Sequence, residues 1–282
     1  MWQVRKAHDG EAAACRDLLP DLFSSVGYAP ELTVAVHEAE GVIGAAGLVF
    51  AEGGFPVSLA VAPGWRGRGV GAGLLDAAVD QARGETHALR TASPVEADGP
   101  AAAFLSCRGF VEIRRFLRFE TEGARGAAIL GGLLTRLRAP RPTVVPMRQA
   151  PIDQAIALLA TTFDAAPFVV ARRLASGGVS GYDLDLSVVA LDGDRVIGAM
   201  VCTRTGDRVE IDLNVVAPDH RRGGVANLAL LEAIARLSAD AGVTRYAFSC
   251  EPHVRDTRNL ARRWNAVELP PTILMTRSLS NR

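Results

Sequence analysis

The sequence predicts an α/β (α+β) fold of two tandem domains, each a mixed, largely antiparallel sheet of about six to seven strands flanked by helices. Three observations predict it. A repeat with a period of half the chain runs through the sequence. Matched hairpin signals stand in both copies. Each copy also carries a glycine-rich turn between a strand and an amphipathic helix.

The repeat comes first, because it fixes the domain count. "EGVIGAAGLVF" (Glu40–Phe50) matches "DRVIGAMVCTR" (Asp194–Arg204). "SLAVAPGWRGRGVGAGLLDAAVDQA" then matches "DLNVVAPDHRRGGVANLALLEAIARLS". Arg66 and Arg221 lie about 155 residues apart, and the offset is nearly constant over more than thirty positions. A period this long means duplicated domains and not a solenoid. The join, "TEGARGAAILGGLLTRLRAPRPT", ends in Pro140 and Pro142. The expected division is therefore a first domain over 1–122, a linker over 123–142 and a second domain over 143–282.

Each half then reads the same way. Short strands open them, "WQVR" and "TVVPMR", followed by helical stretches ("EAAACRDLLPDLF"; "DQAIALLATTF" and "FVVARRLAS"). Hairpins turn at Glu40-Gly41 and at Asp192-Gly193, both strong hairpin dipeptides. A further strand ("PVSLAVA"; "RVEIDLNVVA") leads into the glycine-rich turn and a helix, which shows Leu228, Leu231, Ile234, Ala235 and Leu237 at helical spacing. A fifth strand ("THALRT"; "TRYAFSC"), a last helix and terminal strands ("VEIRRFLRFE"; "PTILMTRS") are expected to close each half in turn.

Composition excludes several classes. The 282 residues are 49% hydrophobic, enough for two cores, and the formal net charge of +0 argues against nucleic acid and anionic membranes as partners. Lys6 is the one lysine among 31 basic residues, and with abundant Ala, Gly and Val this is the composition of a high-GC bacterial genome. No secretory h-region opens the sequence. "AAILGGLL" is far shorter than the roughly 20 residues a spanning helix needs. Cys15, Cys107, Cys202 and Cys250 form no C-x-x-C pair, so no metal site is expected, and reduced thiols in a cytoplasmic protein are.

Glycines before a helix have a chemical use. The first turn leaves backbone N–H groups without intrahelical partners, and the helix dipole puts partial positive charge there. Glycine lets an anion approach that backbone closely. "RGRGVG" and "RRGGVA" lack the G-K-[ST] of a Walker loop, and no acidic residue ends the next strand as in a dinucleotide fold. Arg66-x-x-Gly69-x-Gly71 and Arg221-x-x-Gly224-x-Ala226 both fit R/Q-x-x-G-x-G/A, the acyl-CoA diphosphate loop of the GNAT N-acetyltransferase superfamily. "FLSCRGF" (Phe104–Phe110) resembles that family's "FYEKLGF". Each half resembles one whole GNAT domain. The layout is most similar to that of the mycothiol synthases, which join a degenerate first half to an active second half.

The resemblance implies acetyl-CoA as donor, held by Val61, Arg66, Gly67, Arg68, Gly69, Val70 and Gly71 in the first half. In the second half it implies Val216, Arg221, Arg222, Gly223, Gly224, Val225, Ala226 and Asn259. It also implies a base on the strand before the loop. An unbroken alternation puts Glu210, Asp212, Asn214 and Val216 on one face of that strand and Val209, Ile211, Leu213 and Val215 on the other. Glu210 lies six positions before Val216, where the family carries its base; Asp212 is the alternative, and Asn214 completes a polar face. The same count from Val61 lands on Phe55, so the first half has a loop but no base. The family's thiolate-protonating tyrosine is missing: Leu105 stands at its place in the first half, and Trp264 and Asn265 in the second. Tyr246, Cys250 and His253 are the nearest substitutes.

The expected activity is acetyl transfer to a primary amine of a small molecule by direct attack, in a monomer or homodimer, with antibiotic modification equally compatible. The alternatives are an acyl-CoA-binding sensor or scaffold without catalysis, and a protein N-terminal or lysine acetyltransferase.

Overall fold

The computed structural model describes residues 1–20, 22, 30–49, 54–123, 129–132, 135, 140–163, 170–171, 174–175 and 181–279. Much of the linker 123–142 and of "FVVARRLAS" lies outside them. Two compact units emerge: unit 1 is Met1–Arg115 with Pro270–Arg282, and unit 2 is Phe116–Leu269.

In unit 1, β1 (Trp2–Lys6), β2 (Glu31–His37), β3 (Gly41–Leu48) and β4 (Phe55–Val61) form an antiparallel meander. The β2–β3 turn works because Gly41 takes φ +71, a left-handed conformation that costs glycine nothing. β5 (Ala88–Thr91) then runs parallel to β4. Helix α1 (Ala12–Leu18) follows β1, α2 (Val70–Ala82) follows β4, and α3 (Pro100–Ser106) follows the short β6 (Val95–Glu96). α2 buries Leu74 and Leu75 fully, each worth about 1.5–3 kcal/mol on leaving water.

Unit 2 repeats the plan. β8 (Thr143–Pro146), β9 (Val188–Asp192), β10 (Arg195–Thr205) and β11 (Arg208–Val216) are antiparallel, and β12 (Arg245–Cys250) is parallel to β11. Helices α4 (Ile152–Phe163), α5 (Val225–Asp240) and α6 (Arg255–Arg263) flank them. The shared "VIG" has a packing cause. A Cβ on Gly44 would stand 3.0 Å from Leu74 Cδ1, and one on Gly198 would stand 3.1 Å from Leu230 Cδ1. At both positions the helix after the loop packs directly against its sheet.

One expectation fails. The terminal strands do not each close the half that precedes them. β7 (Val111–Glu122) begins in unit 1, but its Leu117–Glu122 pair with β12 of unit 2. β13 (Val267–Ser278) begins in unit 2, but its Thr276–Ser278 pair with β5 and its Thr272–Ile273 with β6 in unit 1. The pairing is driven by burial: Phe119 enters the core of unit 2, while Ile273 and Met275 enter that of unit 1. The two strands carry similar alternating patterns, so nothing local to either sequence fixes its sheet.

Candidate active site

In both units the parallel pair of strands separates. β4 pairs with β5 only over Phe55–Val57, and β11 with β12 only over Arg208–Ile211. Beyond that fork, Ser58–Val61 and Asp212–Val216 continue alone on that side, so each sheet holds a wedge edged by strand backbone. An open strand edge of this kind suits an extended ligand carrying amides. In unit 1 the wedge is a cavity of about 250 Å³ lined by Ser58, Leu59, Thr91, Ser93, Phe104 and others, with no carboxylate among its lining residues.

A glycine-rich loop follows the diverging strand in each unit. Gly69 (φ +83) and Gly224 (φ +68) take the left-handed conformation at the N-caps of α2 and α5, and neither helix has a side-chain cap. The first-turn N–H groups are thus left for a ligand. Arg66 Nε donates to the Val61 carbonyl at 3.1 Å, and Arg221 Nε to the Val216 carbonyl at 2.8 Å. These arginines fasten loop to strand, and both are exposed.

The loops differ in detail. Gly67 is left-handed in unit 1, whereas Gly223, one place further along, is left-handed in unit 2. Arg68 lies over the Trp65 ring at 5.1 Å, and Trp65 Nε1 donates to Glu40 at 2.8 Å. Arg222 is exposed, while Val70, Val225 and Ala226 are buried helix starts. Asn259 sits on the exposed side of α6, near Arg262. Uncapped helix starts, left-handed glycines and exposed arginines fit the diphosphate of an acyl-CoA.

The strand before the loop departs from the sequence reading. The β10–β11 register shifts between Val201, opposite Leu213, and Cys202, opposite Ile211, so Asp212 is an extra residue: a β-bulge. The alternation therefore breaks at Asp212. Val209 and Ile211 face the core under α5; after the bulge Val216 faces that core, while Leu213 and Val215 face the one under α4. Asn214 follows Val216, and its Nδ2 donates to Asn227 Oδ1 on α5 at 2.7 Å. Glu210 and Asn214 accordingly lie on opposite faces and do not form one polar row.

The bulge also corrects the match between halves. Val57 and Ile211 are equivalent through both neighbouring strands, so Glu210 corresponds to Pro56 and not to Phe55. β4 of unit 1 has an unshifted register and no bulge.

Glu210 is half-buried and sits in a charged row that the sequence reading missed. Arg208 Nη1 is 3.2 Å from Glu210, and Arg208 Nε donates to Glu120 on β7 at 2.9 Å, so one guanidinium serves two carboxylates. Glu120 reaches this row only because β7 joins unit 2.

The substitute acids find other uses. Tyr246 is buried, donates to the Ala235 carbonyl at 3.2 Å, and has its hydroxyl pKa raised by burial. Trp264 packs edge-on against Phe248 in the same core. Burial pushes the Cys202 thiol up to about 12 and raises Cys250 as well, so neither is a ready thiolate nucleophile. His253 is exposed beside Glu251.

Two family models match the chain: an acetyltransferase (GNAT) domain over residues 29–112 and the acetyltransferase (GNAT) family over 164–265. The chain carries two GNAT acetyltransferase domains. It is an acyltransferase, and GNAT enzymes use acetyl-CoA as donor. No curated protein matches its sequence.

Among solved structures, a tandem GNAT protein from the clavulanic acid biosynthesis pathway is similar over 100% of both chains at 17% identity and a TM-score of 0.69. A GCN5-related N-acetyltransferase from Sphaerobacter thermophilus aligns over 98% of this chain and 95% of its own, at 17% identity and a TM-score of 0.62. A fungal glucosamine N-acetyltransferase region aligns over 98% of this chain and 38% of its own, at 15% identity and a TM-score of 0.70. These likenesses concern the fold. Among the described residues no helix is long and apolar enough to cross a membrane.

Proposed function

We propose that this chain transfers the acetyl group of acetyl-CoA to a primary amine of a small molecule, with the chemistry in unit 2 and a donor-binding but non-catalytic unit 1. The observation that carries this reading is the bulge at Asp212. It falls where β12 leaves β11, the extra residue is itself a carboxylate, and Glu210 precedes it by two residues. A bulge turns backbone N–H groups out of the ladder, and charge developing on a thioester oxygen needs such donors.

When bound, the acyl-CoA supplies an activated thioester. Gly224 and the first turn of α5 hold its diphosphate. Glu210, with Asp212 as the alternative, takes the proton from the acceptor's ammonium, because only the free amine has a lone pair to attack. Backbone N–H groups at the bulge stabilise the oxygen. A thiol of pKa near 8.5 leaves without a protonating tyrosine at tolerable cost. Arg208 holds Glu210 in place and is itself braced by Glu120.

Unit 1 keeps the loop and a wedge cavity but has Pro56 where Glu210 stands, which supports donor binding without transfer. The acceptor panel begins with amino sugars, given the mycothiol synthase layout and the likeness to a glucosamine N-acetyltransferase region, and extends to small antibiotics with amino groups. The test is thiol release from acetyl-CoA coupled to mass detection of the acetylated amine. Turnover with a small amine supports the reading. Binding of acetyl-CoA without turnover on any amine of the panel would favour a sensor instead, and acetylation of peptides alone would favour a protein acetyltransferase.

A further inference from the structure

Arg118 on β7 shares a face of unit 2 with Glu210. Its neighbours Leu117 and Phe119 pack into the core under α5. Arg118 therefore stands on the opposite face, with Glu120, and Arg208 joins Glu120 to Glu210 there. α4 covers part of this face, packing with Val201 and Val215, but no residue of β12 or β7 enters that core. Across the ladder Arg118 faces Ser249, which is exposed. Ser249 lies one residue past Phe248, where β12 leaves β11, so Arg118 is level with the bulge at Asp212. Ordinary strand spacing sets its Cα about 10 Å across the sheet from β11 and about 7 Å further along it than Glu210.

The other arginines on this face are engaged: Arg208 with Glu120 and Glu210, Arg245 with Asp207. Arg118 is half-buried and has no hydrogen-bond or ion-pair partner among the described residues. A cation that gives up part of its hydration without a counter-charge gains from an anion brought by a ligand. Unit 1 has no such group. Thr276 faces Arg90 beside Pro56, as Glu120 faces Ala247 beside Glu210. Two residues back along each strand, Leu274 stands at the place of Arg118. The arginine and the candidate base thus occur together in unit 2 and are missing together in unit 1.

A guanidinium presents two parallel N–H donors that match the oxygens of a carboxylate or a phosphate. We propose that Arg118 selects the acceptor: unit 2 acetylates amines that carry an oxyanion several bonds from the nitrogen, with the amine at Glu210 and the anion at Arg118. This rests on the reading that unit 2 transfers acetyl to a small amine. Glu120 does not compete for Arg118, because Arg208 already holds it.

The test follows thiol release from acetyl-CoA, with mass detection of the product, on matched amines. Pentylamine is set against 5-aminopentanoate, and glucosamine against glucosamine 6-phosphate and muramic acid, whose anion is a carboxylate. In at least one set the anionic member should have the lower KM, by about 10- to 100-fold, the worth of a charge-assisted pair of hydrogen bonds. Whether the phosphate or the carboxylate gains identifies the oxyanion. Arg118→Leu, which installs the residue of unit 1, should erase the preference by raising that KM, with little change in kcat. Arg118→Lys should restore part of it, since it keeps the charge but not the fork. Equal KM within every set, a preference for the uncharged amines, or a loss in Arg118→Leu that is equal for charged and uncharged amines overturns the proposal and leaves the proposed activity standing. If acetyl-CoA binds but no amine turns over, the activity fails first, and the proposal fails with it.

Discussion

The two units share a loop, a fork and a helix-to-sheet contact, yet differ on the strand before the loop. In unit 1, β4 runs straight, with Pro56 and Val57 at its fork. In unit 2 one added residue, Asp212, shifts the register beside Glu210. On the proposed reading, the difference teaches that donor binding and acetyl transfer make separable demands. Holding a diphosphate needs a bare helix start, which both units keep. On the same reading, moving a proton and stabilising an oxyanion needs a carboxylate and re-aimed N–H groups, and unit 2 has Glu210 beside a bulge where unit 1 has Pro56 on a straight strand.

The sharpest way to break this comparison is a matched pair of substitutions. Gly69 and Gly224 are both left-handed N-caps, where a Cβ meets only Trp2 Cζ2 at 4.0 Å at the first and nothing within 4 Å at the second, so glutamate at either carries a similar backbone penalty. Gly224→Glu should abolish turnover by setting bulk and negative charge against the donor's diphosphate. Gly69→Glu should leave turnover largely intact and remove one donor site per chain in calorimetry. Equal losses of turnover would mean two working units.

The next effect concerns Glu210. Glu210→Gln keeps size and hydrogen bonding but cannot accept a proton, so kcat/KM at pH 7 should fall by about 10²–10⁴. The deficit should shrink as pH rises, because more of the acceptor amine then arrives neutral. Near-normal turnover would move the role to Asp212, and an equally normal Asp212→Asn would remove the carboxylate base altogether. In unit 1, Pro56→Glu should add no turnover, since its strand lacks the bulge.

Much of this comparison was legible in the sequence, and its decisive part was not. The repeat, both hairpins and both loops were readable because glycine marks left-handed turns at Gly41, Gly69, Gly193 and Gly224. The bulge was hidden because "VEIDLNVV" alternates without a break, and no glycine or proline marks the extra residue. Counting along an unbroken alternation therefore aligned Glu210 with Phe55 and put Asn214 on its face. The strand exchange was hidden for a related reason: the pairing partners of these two strands are chosen by a distant core. Glu120 and Arg208 could not be joined before that exchange was known.

A smaller effect compares how each unit is anchored. In unit 1, Glu11 is buried and accepts from Arg5 at 2.7 and 2.8 Å and from the His8 N–H at 3.1 Å. Its hydrogen bonds to Arg5 lower its pKa against the opposing effect of burial. Glu11→Gln should cost about 1–3 kcal/mol at pH 7 in denaturant unfolding. A depressed carboxylate stabilises above its unfolded pKa, so the gap from the unsubstituted protein should narrow as pH falls below about 4. A gap that stays constant with pH would mean that packing, not charge, is what the substitution removes.

The smallest effect belongs to unit 2, where a charged anchor in the β10–β11 turn is exposed. Asp207 accepts from Arg245 Nη2 at 2.9 Å and from the Thr244 hydroxyl at 2.5 Å, and these bonds, Arg245 first, hold its pKa at about 2. The folded value lies below the ordinary value of about 3.9, so the stabilisation is complete above pH 4 and is lost as pH falls from about 4 towards 2. Solvent around this pair screens it, and exposed ion pairs contribute little. Asp207→Asn should therefore lower the melting temperature less than Glu11→Gln does at pH 7, and the deficit should shrink as pH falls from about 4 to 2.5. Equal deficits at pH 7 would mean that the exposed pair anchors unit 2 as firmly as the buried one anchors unit 1. A deficit that persists unchanged at pH 2.5 would mean that Asp207 acts through its shape at the turn and not through its charge.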